Sequence, residues 1–130
     1  MKLKTLVSAV TFFATLPCAL LGLAGGEMVA QTLDADFGFG DVSVDLVVEY
    51  KGKSMFANSI KIVVGGKEGY SFVPAATCGW RPQISTVCMG DGTTCLLLAV
   101  GDADLPCTQL FVYRLDGCQA QLVACNKILL

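Results

Sequence analysis

Two stretches of the chain alternate apolar and polar side chains with a period of two residues, and this alternation limits the fold more than any other feature. Residues 42–50 carry valine, leucine and tyrosine at the even positions, with Asp45 and Glu49 between them. Residues 59–64 carry isoleucine and valine on one face and Lys61 on the other. Because successive side chains of a strand point to opposite faces, both stretches are predicted as half-buried β-strands.

Short apolar runs bounded by turn residues predict further strands and their pairing into hairpins. A glycine pair follows residues 59–64, and Asp116-Gly117 is the strongest hairpin signal in the chain. Each turn is flanked by an apolar run on either side, as expected for neighbouring antiparallel strands. The further predicted strands cover residues 70–73, 95–100, 109–115 and 119–129.

Helices are expected to be a minor part of the fold. No stretch of residues 25–130 repeats apolar side chains at helical spacing over three turns. A short helix is predicted around Leu33 or within residues 73–80, where neighbouring glycine and proline residues limit its length. The pattern therefore predicts a mainly β fold, a compact sandwich or barrel built from hairpins, with a small α+β sandwich as the alternative.

The first residues have the form of a secretory signal peptide. Lys2 and Lys4 precede an apolar stretch at residues 6–23, and Gly22-Leu23-Ala24 supplies a small-residue cleavage pattern. We predict a signal peptide at residues 1–24 and one domain at residues 25–130, located outside the cell. Cleavage after Ala30 is an alternative, as is an uncleaved membrane anchor, against which Pro17 and the small residues after it argue.

Six of the seven cysteines lie in the second half of the chain, beyond the predicted signal peptide. An even number in a short exported chain indicates a framework of three disulfide bridges, whose pairing the sequence leaves open among 15 arrangements. The chain has no histidine and no Cys-x-x-Cys pair, so no metal or cofactor is predicted. The bridges are expected to stabilise the β fold and involve Cys78, Cys88, Cys95, Cys107, Cys118 and Cys125.

The net charge of residues 25–130 limits the kinds of molecule that the domain is expected to bind. Two of the nine basic residues lie in the signal peptide, which leaves seven against eleven acidic residues and a net charge of −4. Nucleic acid is therefore not a predicted partner, because phosphate binding needs a concentrated basic surface. No basic amphipathic stretch indicates a membrane surface, so no stable membrane insertion is expected after signal cleavage. An extracellular protein or glycan is the expected target.

The absence of histidine removes the usual general base of nucleophilic hydrolases, so no catalytic residue is predicted. The remaining candidates for acid–base chemistry are two aspartate pairs, Asp34 with Asp36 and Asp102 with Asp104. Both pairs lie among turn-forming residues, where aspartate is common for structural reasons. The glycine-rich segment after Asp36 lacks the ligand spacing of a calcium loop.

Trp80 and Arg81 are the predicted binding residues. They stand in a loop between Cys78 and Pro82, and tryptophan and arginine are the residues most enriched at binding hot spots. The alternative is that Trp80, the single tryptophan of the chain, fills the core beside a Cys78 bridge.

An apolar leader, one short domain, six cysteines and no catalytic motif together resemble the small secreted cysteine-rich proteins of filamentous fungi. Many of these are effectors or toxin-like proteins delivered to a host, and the resemblance implies a non-enzymatic protein that binds a host or competitor molecule. The alternatives are a carbohydrate-binding module or lectin-like toxin subunit using Trp80, Tyr70 or Tyr113, and a small carboxylate-dependent hydrolase using Asp102 and Asp104.

Overall fold

The computed structural model describes residues 26–102 and 107–129, and the predicted signal peptide at residues 1–24 lies outside them. The described chain is mainly β, as predicted from the sequence, with one short 3-10 helix at Gly66–Glu68. The described residues contain no helix that could span a membrane. The strands are β1 (Met28–Asp36), β2 (Asp41–Tyr50), β3 (Phe56–Val64), β4 (Tyr70–Phe72), β5 (Gly79–Cys88), β6 (Thr94–Gly101), β7 (Cys107–Leu115) and β8 (Ala120–Leu129).

The strands form one antiparallel sheet with nearly sequential order. The order is β1-β2-β3-β5-β6-β7-β8, and the short β4 pairs with β3 beside this path. Leu46 lies opposite Ile62 and Val48 lies opposite Ile60. The apolar side chains of the first two predicted strands therefore lie on the same face of the sheet. The predicted hairpins at the Gly65-Gly66 and Asp116-Gly117 turns are confirmed by the pairing of β3 with β4 and of β7 with β8.

The sheet bends over itself between β3 and β5. These two strands pair through only two positions, Phe56 opposite Trp80 and Ala57 opposite Gly79. Beyond them β5 leaves β3, and the buried residues of β2 and β3 pack in one core with those of β5, β6 and β7. Burial of these side chains on both sides of a shared core gives the two-layered architecture of a sandwich. The fully buried members include Leu46, Ile60, Ile62, Leu96 and Leu98.

Side-chain contacts join the two layers at both flanks. At one flank the Gln31 amide of β1 donates from Nε2 to the Ile84 carbonyl oxygen at 2.7 Å and accepts the Ile84 N–H at 2.9 Å. The side chain thereby satisfies both backbone groups of one β5 residue. At the other flank the Tyr113 hydroxyl accepts the Ala75 N–H at 2.8 Å, and the Tyr113 and Phe72 rings lie 5.1 Å apart.

Both predicted short helices are wrong. The region around Leu33 is strand β1, in which Leu33 pairs with Val44. Residues 73–78 have no regular helix and lead directly into β5. In β1 the half-buried positions alternate with exposed ones, so pairing with β2 overrides the weak local preference of this segment. In β5 a bulge accommodates Pro82, which is where proline is tolerated within a sheet.

The predicted disulfide framework is not found, because all six cysteines are free in the structure. Strand register places each of the four strand cysteines opposite a residue of another type. The contacts that the structure shows within the described residues are the apolar core and the backbone ladder. The register pairs are Cys88 with Thr94, Cys95 with Val87, Cys107 with Leu129 and Cys125 with Phe111.

Candidate functional site

The backbone at Arg81 adopts a conformation that side chains rarely take. Its φ angle is +45°, the only positive value at a non-glycine residue of the described chain. The residue lies in the bulge of β5 between Trp80 and Gln83, and its N–H donates to the Met55 carbonyl oxygen at 3.0 Å. A left-handed backbone at such a residue costs about 1–2 kcal/mol, so the surrounding contacts must hold it in place.

Close backbone packing fixes the start of β5 against β6. A Cβ atom at Gly79 would lie 2.2 Å from Val100 Cγ1 and 2.7 Å from the Gly101 carbonyl oxygen. A Cβ atom at Gly101 would lie 3.0 Å from the Trp80 Cβ atom. Only glycine permits this approach of the two strands beside Trp80.

Trp80 does not fill the core, and that alternative is wrong. Its side chain lies on the surface with 40% of its area exposed. The indole packs edge to face against Phe56, with ring centroids 5.3 Å apart and an interplanar angle of 71°. This geometry is favourable for two aromatic rings and restricts the indole rotamer. Trp80 is thus both exposed and held in position.

The loop between β2 and β3 completes this surface. Lys51 donates its N–H to the Phe56 carbonyl oxygen at 2.8 Å, and the Ser54 N–H and hydroxyl both donate to the Lys51 carbonyl oxygen. The loop is therefore closed by its own hydrogen bonds, and it presents Met55 with 45% of its area exposed. We define the Trp80 corner as the set Lys51, Lys53, Met55, Trp80 and Arg81.

Sequence reasoning identified Trp80 and Arg81 but missed the loop residues of the corner. The turn at residues 51–53 is correctly predicted, yet nothing in the local pattern indicates what it faces. The two segments meet because Phe56 pairs with Trp80 across the bend of the sheet. The Met55-Phe56 pair directly after the lysine-rich turn is the one signal in the sequence that an apolar side chain reaches the surface there.

The structure places Asp34 close to Asp45, which was not a member of either candidate aspartate pair. Asp45 accepts a hydrogen bond from the Thr32 hydroxyl at 2.8 Å, and Asp34 accepts one from the Ser43 hydroxyl. Burial raises the pKa of Asp45, the Thr32 hydrogen bond opposes this effect, and the negative charge of Asp34 adds to it. Both carboxylates thus belong to cross-strand hydrogen bonds between β1 and β2.

Asp36 has a structural role in the turn that follows β1. Its Oδ1 atom accepts the N–H groups of Gly38 at 2.8 Å and Gly40 at 3.1 Å. Such side-chain to backbone bonds are the usual reason for aspartate in a turn. Among the described residues no group of three or more histidine, cysteine, aspartate or glutamate side chains is placed to hold a metal ion.

Asp102 is engaged by a cation, and Asp104 lies outside the described residues. The Lys127 ammonium lies 3.1 Å from Asp102 Oδ2, and the Asp102 N–H donates to the Cys107 carbonyl oxygen at 3.0 Å. Burial and the negative charge of Asp102 raise the pKa of the Cys107 thiol. A raised pKa disfavours the thiolate, so Cys107 is suited to packing instead of nucleophilic attack.

The aromatic residues required by a lectin-like site do not gather around Trp80. Tyr113 is buried in the core with 4% of its area exposed. The Tyr70 hydroxyl lies 3.0 Å from the carbonyl oxygen of Asp116 and 2.8 Å from that of Gln119, so it binds the turn between β7 and β8. Of the three predicted aromatics, Trp80 alone belongs to the corner.

Comparison of the chain with protein-family models, with curated proteins and with solved structures found no match.

Proposed function

We propose that this chain is a secreted, non-enzymatic protein of the effector or toxin-like kind, which binds a host or competitor molecule through the Trp80 corner. The observation that carries this proposal is the combination at Trp80 of exposure with a fixed position. An exposed indole held by a neighbouring ring is a rigid, amphipathic contact surface that loses little conformational entropy on binding.

The strained backbone at Arg81 supports the same assignment. Sparsely populated backbone conformations persist where surrounding structure enforces them, and they concentrate at binding and catalytic sites. Here the strain accompanies exposure of Trp80 and Arg81 side by side on one bulge. Bulges commonly redirect side chains next to functional sites.

The proposed export depends on residues 1–24 of the sequence, and the strand pairing favours the earlier of the two cleavage positions. Ala30 lies inside β1, where Met28 and Val29 pair with Val48 and Val47. Cleavage after Ala30 would remove these paired residues from the edge of the sheet, whereas cleavage after Ala24 leaves β1 complete. We therefore propose Ala24 as the last residue of the signal peptide.

A pair of matched variants tests the binding role. Phe39 is an aromatic residue with 41% exposure in the loop between β1 and β2, at the other end of β2 from the corner. We expect Trp80→Ala to weaken binding to a target by about 30-fold or more, as for a hot-spot residue, and Phe39→Ala to leave it unchanged. The labelled protein and both variants are applied to arrays of extracellular proteins and of glycans.

Loss of binding in both variants or in neither would contradict the proposal, provided that thermal unfolding shows each variant to be folded. Binding to the glycan array alone, lost in Trp80→Ala, would support the carbohydrate-binding alternative instead. The two arrays thus separate a protein-binding function from a lectin-like one.

A further inference from the structure

The cations of the Trp80 corner differ from most other cations of the domain in having no acidic partner. Lys61 pairs with Glu27, Arg114 with Asp91, and Lys127 with Asp102. Lys51, Lys53 and Arg81 form no ion pair with the described residues. The corner therefore concentrates uncompensated positive charge in a domain whose sequence is acidic overall.

The fold separates this charge from an acidic end. Strand β2 runs from Asp41 to Tyr50, and Lys51 follows it directly. Asp36 and Asp41 flank the loop at the other end of β2. Ten strand residues at roughly 3.3 Å each span about 30 Å, so this loop lies about that far from Lys51. Glu49 is the acidic residue nearest to Lys51 along β2, and the corner still has a charge of +2 when Glu49 is included.

From this arrangement we propose that the Trp80 corner binds an acidic segment of a partner protein, with an apolar side chain of that segment seated between Met55 and Trp80. This inference rests on the proposed binding function of the same corner and adds the chemical class of the partner. Arg81 presents a planar guanidinium that matches a carboxylate with two parallel hydrogen bonds. Lys51 and Lys53 supply point charges on the adjoining loop between β2 and β3.

The geometry favours a protein partner over an anionic membrane. Trp80 lies against the Phe56 ring with more than half of its area covered, and the loop at residues 51–55 is fixed by internal hydrogen bonds. Membrane-surface segments bury an apolar face by about 5–10 Å into the lipid boundary, which requires protruding side chains. A shallow and rigid apolar surface bordered by cations suits a protein interface instead.

The acidic end of the domain helps to orient an acidic partner before it binds. An acidic partner is repelled by the Asp36–Asp41 loop and attracted to the Trp80 corner, so the electric field of the domain orients the two proteins before contact. Because the corner is exposed to solvent, salt screens this attraction. Binding of an acidic segment is therefore expected to weaken as the salt concentration rises.

Trp80 provides the measurement, since it is the only tryptophan in the chain and its fluorescence reports on this corner. The probe is a short synthetic peptide rich in glutamate and leucine, titrated into the domain at low and high salt. We expect the peptide to change the fluorescence emission of Trp80 in the parent protein. The double variant Lys51→Ala/Lys53→Ala should need about tenfold more peptide for the same change. The backbone hydrogen bonds of the loop remain available in this variant.

Lys67→Ala is the matched control, because Lys67 is exposed on the 3-10 helix and has no ion pair with the described residues. It is expected to bind the peptide like the parent protein. Arg81→Lys keeps the charge but removes the planar guanidinium, so an intermediate affinity is expected. Equal weakening in Lys67→Ala and Lys51→Ala/Lys53→Ala would overturn the inference, since general charge would then explain binding.

Two further outcomes separate this inference from the proposed function. If the peptide leaves Trp80 emission unchanged while array binding still requires Trp80, the acidic partner is wrong and the binding function stands. If vesicles of phosphatidylserine and phosphatidylcholine change the emission and the peptide does not, the partner is an anionic lipid surface and the inference is overturned.

Discussion

At the scale of single residues, Asp45 is a carboxylate whose charged form is disfavoured by the fold. Its pKa in the folded protein is raised above 3.8, mainly by burial. A carboxyl group with a raised pKa favours folding most when protonated, so its contribution is complete below about pH 3.8 and is lost as pH rises through the folded-state pKa. At neutral pH the ionised Asp45 therefore lowers the free energy of unfolding.

Asp45→Asn is expected to raise the midpoint of thermal unfolding at pH 7. The amide keeps an oxygen that accepts the Thr32 hydroxyl and removes both the burial penalty of a charge and the repulsion from Asp34. The difference from the parent protein should disappear near pH 3, where Asp45 is protonated. Asp41→Asn removes the same charge from an exposed position of β2 and serves as the control. An equal gain in both variants would mean that net charge, and not burial of Asp45, is responsible.

At the scale of elements, the three-residue strand β4 is tied to the hairpin of β7 and β8 by one side chain. The single hydroxyl proton of Tyr70 is shared between the carbonyl oxygens of Asp116 and Gln119 at the base of that turn. The Asp116 carboxylate accepts the N–H groups of Cys118 and Gln119 within the turn. Desolvation and the nearby charge of Asp116 raise the pKa of Tyr70 to about 12, so the hydroxyl remains a donor at neutral pH. Tyr70 thus links the two layers at this end.

Tyr70→Phe is expected to lower the free energy of unfolding by about 1 kcal/mol, the usual net contribution of a hydrogen bond in a protein. Urea unfolding at pH 7 measures the change. Tyr50→Phe is the matched control, because Tyr50 is also half-buried and its hydroxyl has no hydrogen bond with the described residues. A comparable loss in the control would show that removing any tyrosine hydroxyl has this effect and that the link to the hairpin is not the cause.

At the scale of the whole molecule, the state of the cysteines tests how the fold is held together. Four thiols are exposed and two are buried in the structure. If the cysteines stay free as in the structure, the native protein accepts four alkyl groups without reductant and the unfolded protein six, as measured by intact mass. The exposed thiols are Cys78, Cys88, Cys118 and Cys125, and the buried ones are Cys95 and Cys107.

The alternative outcome is that the six cysteines form three disulfide bridges. A mass lower by about six hydrogens, with no alkylation before reduction, would mean that three bridges form as the cysteine number indicates. The cysteines would then have to lie closer together than in this structure, where all six are free. The same mass spectrum locates the first residue of the exported chain and so tests cleavage after Ala24.

The sequence by itself determined the class of the fold and six of its strands. Alternation at residues 42–50 and 59–64 reproduces β2 and β3, and the apolar runs around the Asp116-Gly117 turn reproduce β7 and β8. These elements are predictable because period-two patterning and turn chemistry are local properties of the chain. The same locality explains why Trp80 and Arg81 could be singled out by residue type alone.

Tertiary structure alone decided β1, β5 and the composition of the corner. Gln31 is a polar residue at a core-facing position of β1, so the local pattern does not predict a strand there. Its side-chain amide forms its hydrogen bonds with the backbone of Ile84 in β5. Lys51 and Met55 join Trp80 because β3 pairs with β5 where the sheet bends. Contacts between residues far apart in sequence depend on register and on closure of the sheet around its core, and short-range patterns contain neither.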